Sequence, residues 1–131
     1  MPVTEFTIQT PRRDAMIDIT AEVNGILRES NSGEGIITIY CPHTTAGITI
    51  NENADPSVTH DMLRQLDEMI PWSTPFYTHG EGNSAAHVKS TLVGCSESIP
   101  YANGEMVLGT WQGIYFCEFD GPRTRRVIIS T

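Results

Sequence analysis

The stretch from Cys41 to Asp61 constrains this chain more than any other. Ile48 and Ile50 alternate with Thr49 and Asn51, the two-residue period of a strand with one buried face. The alternation then breaks. Asp55-Pro56 reads as an N-cap followed by a proline at the first helical position. His43 falls on the turn into the strand, and His60 and Asp61 fall in the second turn of the helix. A strand running almost directly into a helix gathers polar groups at its two ends. If Glu52 still belongs to the strand, it lies on the isoleucine face, where a carboxylate must be paired, metal-bound or at a rim.

The rest of the chain supplies mostly strands. Val3 to Thr10 alternates and reads as an edge strand ended by Pro11, and Met16, Ile17 and Ile19 suit a short second strand. Thr20 can cap a helix to about Ser30, with Val23, Ile26 and Leu27 at helical spacing and Asn31-Ser32-Gly33 as its stop. Gly35 to Cys41 is β-branched and apolar, as a central strand requires. The helix from Pro56 to about Met69 carries Val58, Met62, Leu66 and Met69 as its apolar stripe, bordered by Asp61. Phe76 to Asn83 is a loop, Ser84 caps a short helix, and Gly94 stops it. Ser96 to Pro100, Val107 to Phe119 and Arg125 to Thr131 are strands, with Asn103-Gly104 a turn signal. About seven strands and three helices without regular β-α-β alternation disfavour a doubly wound sheet. The fold class is therefore α+β: an antiparallel or mixed β-sandwich with helices on one side, in a single domain over residues 1–131.

Composition narrows the partners. A formal net charge of −8 argues against a general nucleic-acid or anionic-membrane binder, whose affinity rests on neutralising phosphate. Cys41, Cys95 and Cys117 are odd in number and widely spaced, so free buried thiols in a reducing compartment are expected in place of a disulfide framework. No signal peptide or membrane-length apolar run is present, which makes the cytoplasm the default.

Three groups of residues suit chemistry. His43, His79 and His87 form a three-imidazole set with coordination positions left open, as catalytic metal sites have; His60 is a weaker candidate. Glu52 and Asp61 suit a divalent cation such as Mg²⁺, or a role orienting the histidines, while Asp55 already has a task as helix cap. Arg123, Arg125 and Arg126 are the one dense cationic cluster, and their forks suit phosphate or carboxylate. The competing reading of the cluster is a solvated sheet edge charged against aggregation. As a strand, it puts Arg123 and Arg125 on one face and Arg126 on the other. Gly80, Gly82, Asn83 and the Ser84 helix start offer further N–H groups to an anion. Cys41, in an apolar strand, is a poor nucleophile.

Taken together, these segments resemble a known family. The blocks His43 to Pro56, Asp61 with His79, Ala86-His87-Val88-Lys89, Leu92-Val93-Gly94, Leu108 to Tyr115, Glu118, and Asp120 to Arg123 with Arg125-Arg126 are similar to those of the YjbQ family, also described as the secondary thiamine-phosphate synthase family. The resemblance runs along almost the whole chain in order. It implies a compact α+β sandwich assembling as a homotrimer, with a divalent metal (Zn or Mg) at His43, His79 and His87. It further implies weak thiamine-phosphate synthase activity, which joins a pyrimidine-methyl diphosphate to a thiazole phosphate and releases diphosphate. On that reading Glu52 and Asp61 hold Mg²⁺ and the three arginines hold phosphates, so the partner is a small phosphorylated molecule. The alternatives are a non-catalytic trimer that binds a metal or small anion, and a metal-dependent hydrolase.

Overall fold

In the computed structural model, which describes residues 3–30 and 33–131, the alternating stretches become strands of two antiparallel sheets. In chain order the elements are β1 (Val3–Gln9), β2 (Ala15–Asp18), α1 (Thr20–Ser30), β3 (Glu34–Tyr40), β4 (Ala46–Glu52), α2 (Pro56–Met69), α3 (Ser84–Val93), β5 (Ser96–Ala102), β6 (Glu105–Met106), β7 (Gln112–Glu118) and β8 (Thr124–Ser130). One sheet has the order β1-β8-β3-β5-β6 and the other β2-β7-β4. All pairings are antiparallel. The expected helix stop at Asn31-Ser32 lies outside the described residues.

The main core forms where the sheets face each other. Ile37, Ile39, Ile99, Val127 and Ile129 of the larger sheet meet Ile48, Ile114 and Phe116 of the smaller. Val23 and Leu27 of α1 join the same cluster. The opposite face of β7 sends out Tyr115 and Cys117, which with Phe119 form a second cluster against Ala86, Leu63, Leu66 and Trp72. Thus α2 and α3 cover the outer face of the smaller sheet. Successive residues of a strand point to opposite sides, so β7 serves both cores at once.

Local signals explain most element ends. The Asp55 carboxylate accepts the Ser57 N–H at 2.9 Å and caps α2 behind Pro56. Asn103 and Gly104 both have positive φ, 54° and 76°, and join Ala102 to Glu105 as the two-residue hairpin that such angles build. Gly94 ends α3 at φ 97°.

Four expectations need correction. The strand expected from Val107 begins only at Gln112, because the Gln112 N–H closes on the Gly109 carbonyl at 3.1 Å and its side chain takes the Gly109 N–H at 2.9 Å. That turn leaves Trp111 outside the strand and 63% exposed. The cap of α3 is Asn83, with Ser84 already helical. On α2, Met69 faces solvent, while Leu63 packs inward with Leu66. Cys95 is exposed, whereas Cys41 and Cys117 are buried thiols as expected.

Candidate functional site

The site lies where three connections converge. They are the turn between β3 and β4, the loop entering α3, and the turn between β7 and β8. Pairing of Ala46 with Glu118 brings the start of β4 beside the end of β7. Two bonds dock α3 against the same corner: Ser90 Oγ donates to the Thr44 carbonyl at 2.7 Å, and the Ile48 N–H donates to the Gly94 carbonyl at 3.0 Å. The docking is close, because a Cβ at Gly47 would sit 2.5 Å from that carbonyl oxygen. The result is an open pocket of about 460 Å³, with His43, His79, His87, Glu81, Asp120 and Arg123 on its wall.

All three sequence-selected histidines therefore border one concavity, but they are not equivalent. The rings of His79 and His87 stand edge to face with centroids 5.4 Å apart. His43 is turned toward β8, where its Nε2 accepts the Arg126 backbone N–H at 2.9 Å. That acceptor lone pair is taken, which places the proton of a neutral ring on Nδ1. Burial, and then the nearby Arg125 charge, hold His43 below the usual imidazole range. Among the described residues, no three His, Cys, Asp or Glu side chains are close enough to form a ready-made metal set. Donor chemistry fits a borderline cation at His79 and His87, whereas His43 as placed is a hydrogen-bonding group.

Arg123 lies in the turn before β8, while Arg125 and Arg126 within the strand point to opposite faces. Arg123 borders the pocket and its Nε and Nη2 donate to the carbonyl and carboxylate of Asp120 at 2.9 and 3.0 Å. Its remaining guanidinium N–H groups have no partner among the described residues. Arg125 is 3% exposed and its fork is spent on Glu118, with Nε to Oε1 at 2.8 Å and a further bond to Thr45 Oγ1 at 2.8 Å. Arg126 points to the other face and pairs with Glu5 at 2.8 Å. Of the expected phosphate cluster, only Arg123 both borders the pocket and keeps donors for a ligand, because the Arg125 fork is spent internally and Arg126 lies outside the pocket wall.

Within one chain, Glu52 and Asp61 are not brought to this pocket. Glu52 pairs with Gln112 at the far end of β4, six residues and about 20 Å of strand from Ala46. Asp61 is exposed on α2 beside His60, 3.1 Å away.

Several residues acquire roles that the sequence did not suggest. Asn83 is 7% exposed and donates to Asp120 at 2.8 Å, yet its buried Oδ1 has no hydrogen-bond partner. That oxygen is an unsatisfied buried acceptor beside the pocket. Glu118 is fully buried. Burial raises its pKa, but bonds from Arg125, the Asp120 N–H and Thr10 outweigh that and leave it lowered. Burial pushes the Cys41 thiol up to about 11, which removes it as a nucleophile at neutral pH.

The chain is similar to known proteins along almost its whole length. The model of the UPF0047 protein YjbQ-like family matches residues 4–131. UPF0047 protein YugU of Bacillus subtilis is 61% identical over 122 residues, covering 93% of this chain and 92% of that protein. UPF0047 protein MJ1081 of Methanocaldococcus jannaschii is 54% identical over 95% of this chain and 90% of its own. A crystal structure from Clostridium acetobutylicum, described as an uncharacterized conserved protein of the yjbq/upf0047 family, superposes with a TM-score of 0.94 at 52% identity, covering 97% of this chain and 98% of that one. Hypothetical protein APE1520 of Aeropyrum pernix superposes with a TM-score of 0.93 at 36% identity, covering 99% of this chain and 97% of that one.

Proposed function

The chain belongs to the UPF0047 YjbQ-like family, whose function is not established, and from that premise we propose that its histidine pocket binds a small phosphorylated molecule and acts as a weak thiamine-phosphate synthase. The observation that carries this reading is the pocket wall itself. Arg123 keeps free donors, and His79 and His87 stand together beside it. The unpartnered Oδ1 of Asn83 lies in the same wall. Such a wall offers a fork to phosphate.

The reaction needs little covalent help. A pyrimidine-methyl diphosphate ionises once its leaving diphosphate is neutralised, and the thiazole phosphate then captures the carbon. Arg123 takes the departing charge. Neutral His43 donates from Nδ1 and orients an acceptor on the substrate. A divalent cation at His79 and His87 would add neutralisation of the leaving group. No step requires Glu52 or Asp61 of the same chain.

The reading carries a homotrimer with it. Tyr115 and Phe119 are internal and cannot line an interface, but exposed Trp111, and Val88 and Leu92 beside His87 on α3, offer apolar surface for one. A non-catalytic trimer that binds anion or metal is the second reading, favoured by the commitment of Arg125 and Arg126 to internal carboxylates.

Diphosphate titrated into metal-free and zinc-loaded protein tests the assignment. Saturable binding that weakens in Arg123→Ala and strengthens with metal only while His79 and His87 are intact is the expected result. Binding indifferent to all three changes would overturn it.

A further inference from the structure

A second concavity of about 470 Å³ lies between the β1–β2 turn and α2, with Arg12, Arg13, Asp14, Arg64 and Asp67 on its wall. It shares no lining residue with the histidine pocket. Its charge is unusual for a chain with net charge −8, since three arginines face two aspartates.

Those two aspartates are not free to cancel the arginines. Lys89, on α3, is fully buried. Its Nζ donates to Asp14 Oδ2 at 2.7 Å and to Asp67 Oδ1 at 3.0 Å. A buried ammonium must be matched by charge, and it takes one aspartate from each side of the groove. Arg13 completes the floor. Its Nε bonds Asp14 at 2.7 Å, its Nη2 lies 3.5 Å from Asp67, and its guanidinium stacks over Trp72 at 4.5 Å. Two cations and two anions thus form a closed, balanced set.

Arg12 and Arg64 are the surplus. Arg12 has no ion-pair partner among the described residues. Arg64 holds only Glu68, one turn along its own helix at 3.2 Å, an exposed pair weak enough for a ligand to displace. One arginine comes from the turn and the other from α2, so two forks border one space. A lone carboxylate satisfies one fork, whereas a phosphate dianion has oxygens enough for two.

We propose that this groove is a second ligand site, independent of the histidine pocket, which holds a phosphate dianion, free or as a monoester, between Arg12 and Arg64. The salt-bridged floor fixes its depth, and Leu63 and Met16 at its edge accept the carbon portion of an ester.

Inorganic phosphate titrated into ¹⁵N-labelled Arg123→Ala protein, at constant ionic strength with chloride as reference, tests this in a background where the histidine pocket lacks its phosphate cation. Saturable shifts of the Arg12 and Arg64 Nε–H signals are expected. Adding Arg12→Ala and Arg64→Ala should weaken binding about tenfold or more, and Arg→Lys at both positions should restore part of it. Both residues are exposed, so the fold survives their loss. Repeating the titration with a phosphate monoester shows whether the carbon portion adds affinity. Signals that move no more than with chloride, or a double alanine variant that binds as tightly as its parent, would overturn the proposal.

Discussion

The backbone N–H of Arg126 donates to Nε2 of His43 across 2.9 Å. This one bond ties the turn before β4 to the middle of β8, and it sets which histidine nitrogen can act. It leaves Nδ1–H as the donor of the neutral ring.

The first prediction concerns that ring. His43 should titrate below its ordinary 6.5 because burial, then Arg125, disfavours the cation. On acidification through 6.5 the unfolded chain therefore takes up its proton first, and stability falls until the folded ring protonates. Nitrogen-detected NMR should show the Nδ1–H tautomer at neutral pH. An Nε2–H signal for His43 would contradict the assignment.

The buried Glu118–Arg125 pair should matter more to stability than any exposed ion pair. Arg125→Ala should cost about 3–5 kcal/mol by stranding a buried carboxylate. Arg126→Ala, which breaks an exposed pair with Glu5, should cost less than about 1 kcal/mol. The lowered pKa of Glu118 means that its contribution is full above 4.5 and is lost as pH falls below that value. Urea unfolding from pH 7 to 3 should show that limb in the native chain and a flatter one in Glu118→Gln.

Two glycines should respond oppositely to alanine. At Gly47 a Cβ meets the Gly94 carbonyl that α3 uses to dock, so Gly47→Ala should destabilise by about 1–3 kcal/mol. At Gly25, inside α1, nothing lies within 4 Å of the added carbon, so Gly25→Ala should stabilise by about 0.5–1 kcal/mol. Thermal unfolding of both variants checks the pair, and shifts of the same sign would contradict the packing described.

Assembly is open to a direct check. Light scattering should return three chain masses for the native protein. A stable monomer would contradict the homotrimer.

Much of this architecture was legible in the sequence because it is written in local signals. The Asp55-Pro56 cap, the Asn103-Gly104 turn and the Ile48–Ile50 alternation each act within a few residues. Strand period also separated Arg125 from Arg126, although Arg123 falls in the turn before the strand. The rest depends on contacts between distant residues. Nothing near Arg125 announces that Glu118 and Thr45 consume its fork, nor does anything near Lys89 announce Asp14 and Asp67. Glu52 and Asp61 looked close to the histidines because they are close in sequence, but a seven-residue strand carries its two ends to opposite sides of the fold. The family resemblance carried the candidate histidines further than their spacing did, since His43 is distant from His79 and His87 in the chain.

The most direct test of the central claim is the rate of thiamine-phosphate formation by purified protein given both precursors, followed by mass spectrometry. Arg123 is the one arginine of the cluster that borders the pocket with donors to spare, and removing a charge-assisted hydrogen bond from the transition state costs roughly 1.5–3 kcal/mol. Arg123→Ala should therefore slow the reaction about tenfold to a hundredfold, with Arg123→Lys recovering part of the rate and Arg126→Ala matching the native protein. Equal rates in native protein and in Arg123→Ala, with the fold of each confirmed, would contradict the assignment of the histidine pocket as the synthase site.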